Sequence, residues 1–80
     1  YSNTLLYLRK TLEIQQASLS PTHPDLAITY NNIAAVHISM NDHPVASSNL
    51  QKALEIQEKS LSPNHPTLAK TYINMGRTHS

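Results

Sequence analysis

The 80-residue sequence contains no cysteine, only one glycine and few charged residues. Without cysteine, the chain can form neither a disulfide nor a thiolate metal site. A single glycine is too few for a phosphate-cradling loop or for the sharp turn that presents a catalytic serine. Charged residues make up 14% of the chain and the net charge is +1. Because no basic cluster is present, the composition argues against a surface for nucleic acids or anionic membranes.

Long apolar runs are also missing. The uninterrupted apolar stretches are a few residues long, whereas a membrane-spanning helix needs roughly 20. No charged leader precedes an apolar core at the N-terminus, as a secretory signal would require. We therefore expect a soluble protein of a reducing compartment, the cytoplasm.

Five histidines raise the question of a metal site. The sequence has no His-x3-His pair, and His37 with His79 would need facing helices and further ligands. His23 and His65 belong to a repeated His-Pro turn and are expected to stabilise it. We predict a non-enzymatic protein with no catalytic residue, no metal and no cofactor.

An internal repeat dominates the sequence. Leu-Glu-Ile-Gln at residues 12–15 recurs at 54–57, and aligning residues 9–38 with 51–80 without a gap gives 17 identities in 30 positions. Chance does not produce such a match, so a unit of 42 residues is duplicated. We predict the second helix of a partial repeat in 1–20, a complete helix pair in 21–62 and the first helix of the next repeat in 63–80. We expect the chain to be a piece of a longer array.

The apolar spacing within each unit is helical, and all five prolines fall at the predicted helix boundaries, so none interrupts a helix interior. This predicts four helices, near residues 3–18, 23–40, 43–60 and 65–79. Thr22 followed by Asp25 has the form of a capping box, Asn64 can cap the equivalent later helix, and Asp42 can cap the middle one. Asn41 suits the left-handed residue that ends a helix.

Alternating small and bulky residues in residues 26–60 resemble the tetratricopeptide repeat. The matching residues are Tyr30, Ile33, Ala34, Ala46, Leu50 and Ala53. The period of 42 exceeds the common 34 and is similar to that of kinesin light chains. The resemblance implies an all-α solenoid, in which antiparallel helix pairs stack into a right-handed superhelix. It also implies a scaffold that binds a protein or peptide in a groove lined by first helices.

The residues of the first helices that packing does not use are expected to line this groove. We predict that Asn32 and Asn74 present a donor and an acceptor to the main chain of an extended peptide. Lys70 and Arg77 lie on one face of their helix and would attract an acidic group. The predicted peptide-binding residues are Asn31, Asn32, Ala35, Lys70, Ile73, Asn74 and Arg77, beside which Ile28, Ile38 and Ser39 also remain for the wall.

The same residues could instead have structural roles that involve no ligand. Asparagines in a helix often bond to neighbouring backbone, isolated lysines are usually solvated, and the isoleucines could pack against an adjacent repeat. A structural role is therefore the alternative function. The chain would then be a spacer or a self-assembling repeat that stacks end to end or exchanges helices with other copies through apolar faces at its open repeat ends.

Overall fold

The computed structural model describes residues 2–60 and 66–79, and this part of the chain holds four α-helices and no strand. They are α1 (Ser2–Ser18), α2 (Pro24–Ser39), α3 (His43–Ser60) and α4 (Pro66–His79). Each end lies within one residue of the predicted one. The all-α class and the four helices are confirmed.

The start of α2 differs from the predicted cap by one residue. The N-cap is His23 rather than Thr22, and the His23 Nδ1 atom accepts a hydrogen bond of 3.1 Å from the backbone N–H of Asp25. Pro24 occupies the first turn, where its missing N–H costs nothing because first-turn donors have no partner within the helix. The predicted cap Asn64 lies outside the described residues.

The turn between α2 and α3 forms as predicted around Asn41. This residue has φ of 61°, and it is the one non-glycine residue with positive φ in the described ranges. The N–H of Asn41 bonds to the carbonyl of Ile38, and the N–H of Asp42 bonds to that of His37, at 3.0 and 2.8 Å. These two bonds form a Schellman motif, which satisfies carbonyls at the end of α2. The carbonyl of Asp42 then accepts from Ala46, in the first turn of α3.

Helix α2 lies at the centre of the molecule. It packs against α1, α3 and α4, and α3 also packs against α4. Within residues 2–60 and 66–79, the backbone of α1 does not come close to that of α3 or α4, although the Leu12 side chain packs against the cluster that includes Ala53 and Ile56 of α3. The helices are arranged as stacked hairpins. Helices α2 and α3 form one antiparallel pair, α1 covers one side of it and α4 covers the other.

Two clusters of small and bulky side chains hold the helices together. The residues that carry the family resemblance are buried as predicted, with Ala34, Ala46, Leu50 and Ala53 fully buried and Ile33 nearly so. Alanine at these positions allows close approach of the helix backbones, and the bulky residues fill the remaining space. The first cluster contains Leu26, Ala27, Ala53 and Ile56, and the second contains Ala34, Ile38, Ala46 and Leu50.

None of the described helices is long and apolar enough to cross a membrane.

Candidate peptide-binding surface

One face of α2 carries side chains that the core does not use. Ile28, Asn32 and Ser39 are exposed and Ala35 is half-buried. Their spacing of three or four residues places them in one stripe along the helix. These four residues lie where the sequence predicted the wall of a groove.

Helix α4 adds a second stripe beside the first. Lys70, Ile73 and Arg77 are exposed, and the side chain of Ile73 is 65% accessible. A cleft of about 140 Å³ lies between the two helices, lined by Ile28, Asn31, Asn32 and Lys70. We call this surface the α2–α4 groove, and its accessible side chains are those of Ile28, Asn32, Ala35, Lys70, Ile73 and Arg77.

Three residues predicted for the wall are buried instead. Ile38 packs with Ala34, Ala46 and Leu50, so its expected exposure is wrong. Asn31 and Asn74 are only 2% and 6% exposed. Their predicted accessibility is also wrong, because α4 packs over this side of α2. A role for these two asparagines in binding stays a prediction, and it can only be an indirect one in this arrangement.

The two buried asparagines belong to a polar network that joins α2, α3 and α4. The Thr71 hydroxyl donates to Gln57 Oε1 and accepts from Asn31 Nδ2, both at 2.7 Å. Asn74 Nδ2 donates to Asn31 Oδ1 at 3.4 Å. Arg77 Nη1 donates to Asn74 Oδ1 at 3.3 Å and so links the network to the accessible edge of the groove.

Gln57 and Thr71 were missed as important residues, although the sequence carries a signal for them. Both belong to the duplicated positions, and their counterparts 42 residues earlier, Gln15 and Thr29, are also bonded to each other at 2.5 Å. A polar pair that recurs within a packing face predicts a buried hydrogen bond, because buried polar groups are almost always bonded. The repeat therefore encodes a glutamine–threonine bond at each contact between successive units.

The charged groups around the groove are predominantly basic. Both ion pairs in the described ranges join a histidine to an aspartate, His23 to Asp25 and His37 to Asp42. No described carboxylate lies within 4 Å of the Lys70 ammonium. Residues 2–60 and 66–79 contain no group of three histidine, aspartate or glutamate side chains that could hold a metal ion.

The duplicated 42-residue unit and the stacked antiparallel hairpins define a helical repeat protein. The family model of the tetratricopeptide repeat matches residues 4–59 and again residues 27–80. The chain therefore belongs to the tetratricopeptide repeat family, whose members are in general protein-interaction scaffolds. No curated protein and no solved structure matches it significantly.

Proposed function

We propose that this chain is part of a scaffold that binds an extended acidic peptide in the α2–α4 groove. The observation that carries the proposal is the composition of the groove. Two exposed isoleucines, Ile28 and Ile73, flank the accessible amide of Asn32 and the ammonium of Lys70, which has no carboxylate within 4 Å among the residues that the structure describes. Apolar side chains with a few polar groups among them are typical of ligand sites.

The spacing of the cations specifies the ligand further. Lys70 and Arg77 lie seven residues apart on one face of α4, which corresponds to about 10 Å along the helix axis. An extended peptide in the polyproline II conformation advances about 3.1 Å per residue with three residues per turn, so carboxylates three residues apart would lie on one face, about 9 Å apart, and match the two cations. Arginine can bind a carboxylate through two parallel hydrogen bonds. The Asn32 amide supports the same mode because it can donate to and accept from a peptide main chain.

The buried asparagines have a positioning role in this proposal. Asn74 accepts a hydrogen bond from Arg77 at 3.3 Å, and Asn31 bonds to Asn74 at 3.4 Å. These bonds orient the guanidinium and hold α4 against α2. Replacing Asn74 with alanine would therefore weaken binding through Arg77, without removing a direct contact to the ligand.

The test is a fluorescence anisotropy titration of the full chain with labelled acetyl-Glu-Gly-Gly-Glu-amide. We expect saturable binding that is lost with the matching glutamine peptide. Lys70→Glu and Asn32→Ala should each weaken it severalfold. Lys10→Glu reverses an exposed lysine on α1, which packs on the other side of α2, and should leave it unchanged. Equal binding of the two peptides, or equal effects of the two lysine reversals, would contradict the proposal.

Self-association is a second candidate function, supported by exposed apolar residues on the outer helices. On α1, Leu6, Tyr7 and Ile14 are 53 to 71% exposed, and on α4, Tyr72 and Ile73 are 55 and 65% exposed. Apolar patches of this kind commonly bind other protein surfaces. Sedimentation velocity should show association that grows with concentration. A well-folded monomer at high concentration would exclude this function for the chain.

The cytoplasmic location and the likeness to kinesin light chain repeats stay predictions from the sequence.

A further inference from the structure

A second and larger cleft lies on the opposite side of α2. It has a volume of about 340 Å³ and is lined by Gln16, Pro21, Leu26, Tyr30 and Ile56. Ile28 of the groove is two residues from both Leu26 and Tyr30, and two residues correspond to about 200° around a helix. The two clefts therefore face away from each other. We call the second one the α1–α3 cleft, because it opens between α1 and α3, which both pack on α2 and whose backbones do not approach each other closely in the described ranges.

The α1–α3 cleft has an apolar floor and a polar edge. Leu26 and Ile56 are buried members of the first core cluster, and the half-buried Tyr30 packs against them. At the edge, Gln16 Nε2 donates to the Tyr30 hydroxyl at 3.3 Å. Ligand sites span roughly 300 to 1,000 Å³, so a cleft of this size has room for one bulky side chain rather than a large cofactor.

The α3 side of the cleft carries two lysines, Lys52 and Lys59, with Glu55 three residues from the first and four from the second. The Lys52 ammonium lies 5.7 Å from the centre of the Tyr30 ring. Lys52, Ile56 and Lys59 follow one another at four and three residues, so two exposed lysines flank Ile56 on one face of α3. No described carboxylate lies within 4 Å of either lysine. A ligand with a negative charge next to an apolar group would complement this arrangement.

We propose that the α1–α3 cleft is a second protein-binding site, which takes a bulky apolar side chain from a partner segment that carries a carboxylate beside it. The apolar side chain fills the space over Leu26 and Ile56. The carboxylate pairs with Lys52, whose ammonium lies 5.7 Å from the centre of the Tyr30 ring at the edge of the cleft. A partner held here leaves the α2–α4 groove accessible, so the scaffold can bind two different segments at once.

Most residues that line this cleft recur 42 positions away in the sequence. Five positions of the cleft and its basic edge have identical residues 42 positions away. The pairs are Lys10 and Lys52, Ile14 and Ile56, Pro21 and Pro63, Leu26 and Leu68, and Tyr30 and Tyr72. By contrast, Ile28, Asn31 and Ala35 of the groove side correspond to Lys70, Ile73 and Arg77. Gln16 and Lys59 at the edges of the cleft correspond to Glu58 and Ala17, and Asn32 of the groove corresponds to Asn74. The apolar floor of the cleft is therefore repeated, whereas most of the groove differs between the two units.

Methyl NMR spectroscopy of the full chain can test the proposal, because the two sites contain different isoleucines. The probe is acetyl-Gly-Phe-Asp-Gly-amide, and the matched probe has asparagine in place of aspartate. We expect saturable shifts of the Leu26 and Ile56 methyl signals, with Ile28 and Ile73 unaffected. The aspartate peptide should bind about two- to fivefold more tightly, which is the ratio expected from one exposed ion pair.

Two charge reversals separate the cleft from the groove. Lys52→Glu should remove the preference for aspartate, and Lys70→Glu should leave it unchanged. Circular dichroism establishes that both variants keep the helical content of the parent chain. Three results would overturn the proposal: no saturable shift at Leu26 and Ile56, shifts confined to Ile28 and Ile73, or an unchanged preference in Lys52→Glu. A negative result at the cleft leaves acidic peptide binding in the groove unaffected, so the two proposals fail separately.

Discussion

Replacing Thr71 with valine removes the hydroxyl at the centre of the buried polar network and keeps the shape of the side chain. Thr71 is fully buried. Its hydroxyl donates to Gln57 Oε1 and accepts from Asn31 Nδ2, both at 2.7 Å. Valine can make neither bond, and Gln57, which is 0% exposed, cannot turn to water instead.

The size of the effect follows from what the two partners lose. Gln57 is fully buried and its Nε2 atom makes no hydrogen bond, so after the change Gln57 Oε1 would also lack a donor. Leaving a buried acceptor without a donor lowers the free energy of unfolding by about 1 to 3 kcal/mol. Asn31 Nδ2 still donates a hydrogen bond of 3.4 Å to the Ala27 carbonyl, so its contribution to the lost stability is smaller than that of Gln57. We expect Thr71→Val to lower the free energy of unfolding by about 2 to 4 kcal/mol.

The equivalent threonine of the earlier unit provides the control. Thr29 bonds to Gln15, which is only half-buried and can turn its amide to water. Thr29→Val should therefore cost about 1 kcal/mol or less. Urea unfolding followed by circular dichroism measures both values. The double variant Thr71→Val with Gln57→Leu should recover part of the loss, because it removes the stranded acceptor. Equal costs for the two threonine changes would refute the reasoning.

Three further predictions concern stability and binding. His37 is buried with no hydrogen bond at either ring nitrogen, and the Asp42 carboxylate 3.4 Å from its Nδ1 is 45% exposed and can bond to water instead. His37→Leu should therefore raise the free energy of unfolding by about 1 kcal/mol in urea titrations. Asn41 has φ of 61°, so Asn41→Val should lower the free energy of unfolding by about 1 to 2 kcal/mol, and the thermal midpoint should fall with it. Asn41→Gly should lower neither. Binding of the Glu-Gly-Gly-Glu peptide should weaken severalfold when NaCl rises from about 50 to 500 mM, because salt screens exposed charges; unchanged anisotropy titrations would contradict this.

The fold could be predicted from the sequence because its signals are local or periodic. Prolines and the turn residue Asn41 mark the helix ends, and the 42-residue duplication indicates how the units repeat. The misplaced cap shows the limit of a local pattern. A capping box at Thr22 and a histidine cap at the next residue fit the same sequence, and the choice depends on the backbone path into α2.

The groove was predicted less well, because it depends on how the units stack. Ile38 follows Ala34 by four residues, which is about 40° around the helix, so the spacing itself predicts its burial in the α2–α3 pair. Angles around one helix place Asn31 only at the edge of that packing face. They do not indicate how far α3 and α4 cover that edge. Only the contact between α2 and α4 decides that Asn31 is buried and Asn32 is exposed. The repeated Gln57 and Thr71 carried this information, since a recurring polar pair marks the same contact in each unit.

The central claim is that the α2–α4 groove binds an acidic peptide. Paramagnetic relaxation enhancement in the full chain tests this claim most directly. The acidic peptide would carry a nitroxide label at one end, and the methyl signals of the chain would report its position. Our account predicts strong broadening at Ile28 and Ile73, which is lost in Lys70→Glu. Broadening confined to Ile14 and Ile56, or none at any methyl group, would contradict it.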